Sequence, residues 1–211
     1  MIKADKLNQI LSVVFRVFLV LAVVTAFFLH NWFNFFMSLL TLFLTYLPSI
    51  FQKKFKVYYP SEFETMILIF IFGALYLGEV RGFYNKFWWW DVALHTSSGI
   101  ITGFFAFSLV YVLNKELKSV NLSPFFIALF SFCFALAIGA AWEIFEFGFD
   151  NTFSANMQRR ETGVFDTMED LIVDSIGAFL ISISCYFYLK KGKSSFLAER
   201  FAEKNSEIFK R

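Results

Sequence analysis

The segment DTMEDLIVDSIGAFLISISCYFYL, residues 166–189, decides the fold of this chain. Asp166, Asp170 and Asp174 follow one another at intervals of four residues, ahead of an apolar run that ends at Lys190. Residues four apart lie on one face of a helix. The segment is long enough to cross a hydrocarbon core of about 30 Å. We therefore predict a membrane-spanning helix with an acidic face at one end, directed toward protein or water because carboxylates are costly in lipid.

The composition of the whole chain supports a membrane protein. Of its 211 residues, 58% are hydrophobic and 22% aromatic, and the mean hydropathy is +0.60. We predict an all-α, polytopic protein with a single six-helix transmembrane domain, residues 1–189, and a basic cytoplasmic tail, residues 190–211. Membrane lipids are its expected partners, and nothing indicates nucleic acid. The predicted spans are residues 10–29, 32–51, 65–80, 91–113, 124–147 and 166–189.

The positive charges predict the orientation of the chain. Six spans place both termini on one side, and all but four of the 19 Lys and Arg residues fall there. The exceptions are Arg81, Lys86, Arg159 and Arg160. The positive-inside rule makes the basic side cytoplasmic, so we expect both termini inside. Arg16 lies within the first span, and we expect its side chain to extend to the lipid head groups.

Ionisable residues gather at the outer ends of four spans. Counted from those ends at a rise of about 1.5 Å per residue, they reach similar depths. Besides the three aspartates of the sixth span, they are Glu79 and Arg81 on the third span, Asp91 and His95 on the fourth, and Glu143 and Glu146 on the fifth. Small residues at Gly99, Gly103, Gly139 and Gly177 predict close packing of the last three spans.

Carboxylates held at close range must keep protons or be balanced by cations. One imidazole among several carboxylates suits Mn²⁺, Fe²⁺, Mg²⁺ or Zn²⁺. The Glu-x-x-Glu pair is also typical of carboxylate-bridged helix bundles. We predict His95, Glu143, Glu146 and Asp170 as catalytic residues and, with Asp174, as metal ligands. Around them we predict supporting or substrate-binding roles for Asp91, Glu79, Arg81, Arg159, Arg160 and Asp166.

Structural interpretations stand beside these. Asp166 and Glu169 form a possible capping box for the sixth span. Asp91 is placed to cap the fourth span, and Asp150 to lie on a loop surface. His95 and its acidic neighbours are equally compatible with a hydrogen-bonded network that has no catalytic role.

The same residues carry a family resemblance. The pattern D-x-x-x-H-x-x-x-G, then E-x-x-E, then G-x-x-D-T-x-x-D before an apolar span containing G-A resembles the YjdF family of bacterial inner-membrane proteins, over about residues 70–180. A looser likeness to VanZ-like proteins rests on an early Asp-to-His element and a later Arg and Asp pair. The resemblance implies a six-span inner-membrane protein with no established reaction. The matching residues are Asp91, His95, Gly99, Glu143, Glu146, Gly163, Asp166, Thr167, Asp170, Gly177 and Ala178.

Three functions follow from this pattern. The first is a metal-dependent hydrolase or transferase acting on a lipid-linked or envelope substrate, in which Arg159 and Arg160 neutralise a phosphate. The second is a cation- or proton-coupled transporter. The third is a structural or accessory membrane protein with a buried polar cap. The last three spans carry few polar groups toward the basic side, which favours a one-sided site over a transport path.

Overall fold

The protein is helical throughout the part of the chain that its computed structural model describes, residues 2–55, 60–116, 121–153, 157–158, 163–192, 199–201 and 205. Within these described ranges six helical segments are long and apolar enough to cross a membrane, so the predicted fold class is confirmed. They are Asn8–Phe28, Trp32–Lys54, Ser61–Val80, Trp89–Lys115, Pro124–Thr152 and Val164–Lys190. The chain forms two compact units, residues 1–90 and 91–211. The single domain stays a prediction.

The first unit begins with two antiparallel helices, α1 (Ile2–Phe28) and α2 (Trp32–Leu44). His30 takes a positive φ of 53° in the turn between them. Asn31 then caps α2 by accepting a hydrogen bond from the Asn34 backbone N–H at 3.1 Å. A short polar turn therefore reverses the chain between two apolar helices.

The second span is broken, which the sequence analysis did not predict. Helix α2 ends before Thr45, and α3 (Leu47–Phe55) starts two residues later. Pro48 explains the break, because it has no N–H for the carbonyl of Leu44 and its ring clashes with that turn. Arg16 of α1 donates to the Thr45 carbonyl at 2.8 Å. This carbonyl and the Tyr46 ring hold the guanidinium in place within the unit, and its reach to the lipid head groups stays a prediction.

The third span starts as α4 (Ser61–Ile71) and continues as a π-helix, Phe72–Val80. The wider π turn is followed by Gly82, whose φ of 68° ends the span. A one-turn helix, α5 (Phe83–Lys86), follows. Trp90 closes the unit by donating its indole N–H to the Gly73 carbonyl at 3.3 Å.

The second unit contains α6 (Trp89–Glu116, of which Trp89 and Trp90 belong to the first unit), α7 (Pro124–Phe153) and α8 (Val164–Lys190). The predicted close packing through glycines is confirmed. A Cβ on Gly99 of α6 would collide with the Asp174 backbone carbonyl of α8, and one on Gly177 of α8 with the Thr96 carbonyl of α6. The two backbones therefore touch, which brings the side chains one turn away into direct contact.

The starts of two helices differ from prediction. Helix α8 begins at Val164, after Gly163 with a φ of 44°, and the Gly163 carbonyl accepts the first helical hydrogen bond, from Thr167 N–H. Asp166 consequently lies inside the first turn, so the predicted capping box with Glu169 was wrong. Helix α6 begins at Trp89, so Asp91 is also within its helix and does not cap it.

Candidate functional site

The acidic face of α8 is turned into the second unit. The side chains of Asp166, Asp170 and Asp174 are 7%, 4% and 2% exposed. The same buried stripe continues through small residues, Gly177, Ala178, Ser182 and Cys185. Four-residue spacing therefore places three carboxylates in protein rather than in lipid, as expected for charged groups in a span.

His95 lies among these carboxylates and is itself buried. Its Nε2 is 3.7 Å from Asp91 Oδ1, one turn earlier on α6, and 3.8 Å from Asp170 Oδ1 on α8. Its Nδ1 is 3.2 Å from Asp174 Oδ2. One ring nitrogen thus has a hydrogen-bonded carboxylate, while the other faces two carboxylate oxygens from two helices.

The position of Asp174 depends on a glycine of α7. A Cβ at Gly139 would lie 2.5 Å from Asp174 Oδ2, the oxygen that contacts His95. Only glycine leaves room for the carboxylate at this point. The other oxygen of Asp174, Oδ1, is buried and makes no hydrogen bond within the described residues.

Glu143 adds a carboxylate from α7. It is 4% exposed, and neither of its oxygens makes a hydrogen bond within the described residues. It is close enough to His95 and Asp174 for their charges to interact. The Thr167 hydroxyl also lies near it, though outside hydrogen-bonding geometry. Burying a charged carboxylate without a hydrogen-bond donor costs free energy. We therefore expect Glu143 either to hold a proton or to lie beside a cation.

Glu146, one turn further along α7, is buried but has a partner. The indole N–H of Trp142 donates to its Oε1 at 2.8 Å. The ring of Trp142 is 45% exposed on the outer side of the helix. Through this hydrogen bond Glu146 connects the buried carboxylates to Trp142 at the surface of the second unit.

Asp150 has a structural role that the sequence analysis missed. It is 9% exposed rather than on a loop surface. Its carboxylate accepts the backbone N–H groups of Met157 and Gln158 at 2.9 and 3.0 Å. The Gln158 amide in turn donates to the Thr167 hydroxyl of α8 at 2.7 Å. These bonds tie the α7–α8 connection to the edge of the site.

The structure does not test the four remaining predicted residues. Arg159 and Arg160 lie outside the described residues. Glu79 and Arg81 are exposed residues of the first unit. Their roles in substrate binding stay predictions.

The geometry can be tested for fit to a metal ion. One atom each from Asp91, His95 and Asp170 forms a group whose members all lie within 4.8 Å of one another. With bonds of about 2.0–2.2 Å, two ligands on opposite sides of one metal are roughly 4.4 Å apart. The distances of 3.7 and 3.8 Å from Nε2 lie below that limit. The two carboxylate oxygens lie within 4.8 Å of each other, a bound above that limit, so the three groups approach the spacing of ligands around one ion and must move closer to bind it.

Comparison with known proteins adds the family. Residues 9–191 match the family described as "Predicted membrane protein (DUF2238)". The chain belongs to this family. A DUF2238 membrane protein agrees with the resemblance drawn from the motifs, while the looser likeness to VanZ-like proteins gains no support. An uncharacterised protein of Thermotoga maritima is 27% identical over 143 residues, covering 66% of this chain and 69% of the relative. No solved structure matches the chain significantly.

Proposed function

We propose that this DUF2238 protein is a metal-dependent hydrolase or transferase in the membrane. It binds one divalent metal ion through Asp91, His95 and Asp170. The observation that carries the proposal is the environment of His95, whose Nδ1 contacts Asp174 while its Nε2 faces Asp91 and Asp170. Metal-binding imidazoles usually donate their other N–H to a carboxylate, which sets the tautomer and the ring orientation. Asp174 supplies that carboxylate.

The proposal changes the roles assigned from the sequence. Asp91 becomes a ligand, since its oxygen faces Nε2, and Asp174 becomes the orienting residue. Glu143 is no longer a necessary ligand, because it is not part of the group that surrounds Nε2. One imidazole and two carboxylates suit Zn²⁺, Mn²⁺ or Fe²⁺, and Mg²⁺ with added waters.

Charge balance supports a bound cation. Asp91, Glu143, Glu146, Asp166, Asp170 and Asp174 accompany a single imidazole among the described residues of this region. A divalent ion offsets two of these negative charges at the point where two carboxylates meet Nε2. It also supplies a Lewis acid for a substrate oxygen.

Glu143 is the proposed proton acceptor of the reaction. Its oxygens carry no hydrogen bond from the described residues, so they are available to a water molecule or a substrate hydroxyl. A general base must reach the proton that it removes, either directly or through one water.

The substrate class follows from the position of the site near the ends of three spans. We propose a lipid-linked or envelope phosphate ester, with Arg159 and Arg160 binding its phosphate. We also propose that the protein is YjdF-like, that it lies in the inner membrane and that both of its termini are cytoplasmic. In this orientation the site lies on the outer side of the membrane.

A polar cap without metal is the second candidate, because a protonated His95 would offset one carboxylate charge and bound protons could neutralise the remaining carboxyl groups. Transport has less support. The buried hydroxyls of Ser108 and Ser131, toward the basic end, donate to carbonyls of their own helices. They are therefore not directed along a common path.

Metal content decides between these candidates. Purified protein is loaded with Zn²⁺, Mn²⁺, Fe²⁺ or Mg²⁺ in turn, desalted and measured by mass spectrometry. We expect one ion per chain in the wild type, loss in Asp170→Asn and retention in Glu169→Gln, which removes an exposed acid next to Asp170. No bound metal in the wild type, or equal retention in both variants, would leave the polar cap as the better account.

A further inference from the structure

Arg16 places a permanent positive charge inside the apolar part of the first span. That span begins at Asn8, so Arg16 lies eight residues from its end, which is about 12 Å along a helix. Charged side chains at such depth are costly and normally pair with an opposite charge, with carbonyls or with water. The partners of Arg16 therefore indicate what the protein binds there.

The contacts of Arg16 use only part of its guanidinium. Nη2 donates to the Thr45 carbonyl at 2.8 Å, and Nε donates to the Thr45 hydroxyl at 3.4 Å. The group also lies 4.1 Å from the centroid of the Tyr46 ring. A guanidinium has five N–H donors. Two are used here, and within the described residues no carboxylate forms a salt bridge with Arg16.

The break in the second span fixes this arrangement. Pro48 interrupts the helix, and the Thr45 carbonyl is left for Arg16 to bind. The unused edge of the guanidinium is consequently held in place beside Thr45 and Tyr46. Tyr46 beside it is 44% exposed, so the site is accessible from the side of the unit.

The surroundings favour an anion carried by a lipid. Since α1 and α2 are antiparallel and Arg16 meets Thr45, the end of α1 near Asn8 lies at the same end of the unit as Lys53 and Lys54. Basic residues at a membrane surface attract anionic lipids. Arginine binds phosphate through two parallel N–H bonds, which the unused edge can supply.

We propose that Arg16 binds the head-group phosphate of an anionic phospholipid that enters beside Tyr46 at the basic end of the first unit. A lipid is favoured over free phosphate because Arg16 lies within the apolar span, which a lipid reaches from the bilayer. The site is separate from the metal proposal and does not depend on it.

The test uses the full-length protein in detergent. Phosphatidylglycerol, phosphatidylcholine and inorganic phosphate are added separately, and bound lipid is counted by native mass spectrometry while the melting temperature is recorded. Arg16→Gln keeps an N–H donor for the Thr45 carbonyl but removes the charge. Lys86→Gln is the matched control, since it removes an exposed positive charge of the first unit beyond the other end of the third span.

We expect phosphatidylglycerol to bind and stabilise the wild type and Lys86→Gln more than phosphatidylcholine does. Arg16→Gln should bind it roughly tenfold to a hundredfold more weakly, the factor expected for loss of a charge-assisted hydrogen bond. Unchanged binding by Arg16→Gln would refute the proposal. So would equal stabilisation by inorganic phosphate, which would identify a free anion as the ligand. If Arg16→Gln does not fold, equal retention of the two lipids by the wild type alone still overturns it.

Discussion

His95 and Asp174 are joined across two helices by a contact of 3.2 Å between Nδ1 and Oδ2, and the carboxylate is only 2% exposed. The contact exists because α6 and α8 touch at Gly99 and Gly177, while Gly139 of α7 leaves space for the carboxylate. It sets the direction in which the other ring nitrogen of His95 points. Several predictions about the site depend on this pair.

Replacing Asp174 with asparagine should weaken metal binding without removing it. The amide preserves the shape of the side chain but loses the charge that holds the His95 N–H. Loss of such an orienting carboxylate typically lowers metal affinity about 10–100-fold. The measurement is a competition titration with a chelator of known affinity, with Ser175→Ala as the control on the neighbouring position. An unchanged affinity would show that Asp174 does not orient a metal ligand.

Glu143→Gln should keep its metal, in contrast to His95→Ala, which should lose it. The sequence alone suggested that both residues are ligands, but only His95 belongs to the group around Nε2. Removing a carboxylate that has no hydrogen bond within the described residues should not lower the melting temperature of the metal-free protein. Metal content and melting temperature are measured together on both variants. Loss of metal from Glu143→Gln would restore Glu143 as a ligand.

Gly177→Ala should destabilise the protein and disturb the site. The new Cβ would collide with the Thr96 carbonyl, so α6 and α8 must move apart. Overpacking of this kind costs about 1–3 kcal/mol. Gly148→Ala is the matched control on α7, because a Cβ there meets nothing within 4 Å. Thermal unfolding should separate the two variants, and equal melting temperatures would contradict the close helix contact.

The orientation in the membrane is tested with single cysteines. In a background with Cys133 and Cys185 replaced by serine, Arg159→Cys and Lys115→Cys are introduced one at a time. The distribution of Lys and Arg predicts that an impermeant maleimide added to intact cells labels residue 159 but not residue 115. The reverse pattern would place the site on the cytoplasmic side.

Much of this architecture could be predicted from the sequence because it is set by local rules. The length of each apolar segment predicts the six spans, and the flanking lysines predict where they end. The four-residue spacing of Asp166, Asp170 and Asp174 already predicts a buried face. The spacing of Asp91 and His95 likewise predicts that they share one side of a helix. In the structure Asp91 Oδ1 lies 3.7 Å from His95 Nε2.

The tertiary structure alone decided which groups meet. The neighbours of each nitrogen of His95 depend on how far α6 and α8 are rotated and how closely they approach. Both are set by contacts between residues distant in the sequence, such as Gly99 with Asp174 and Gly177 with Thr96. The partner of Arg16 also depends on a different helix. Arg16 donates to the Thr45 carbonyl at the point where the second span is broken next to Pro48. Periodicity along one helix contains no information about the rotation of its neighbour. The sequence therefore determined the spans and the composition of the acidic layer, whereas helix packing determined the geometry of the site.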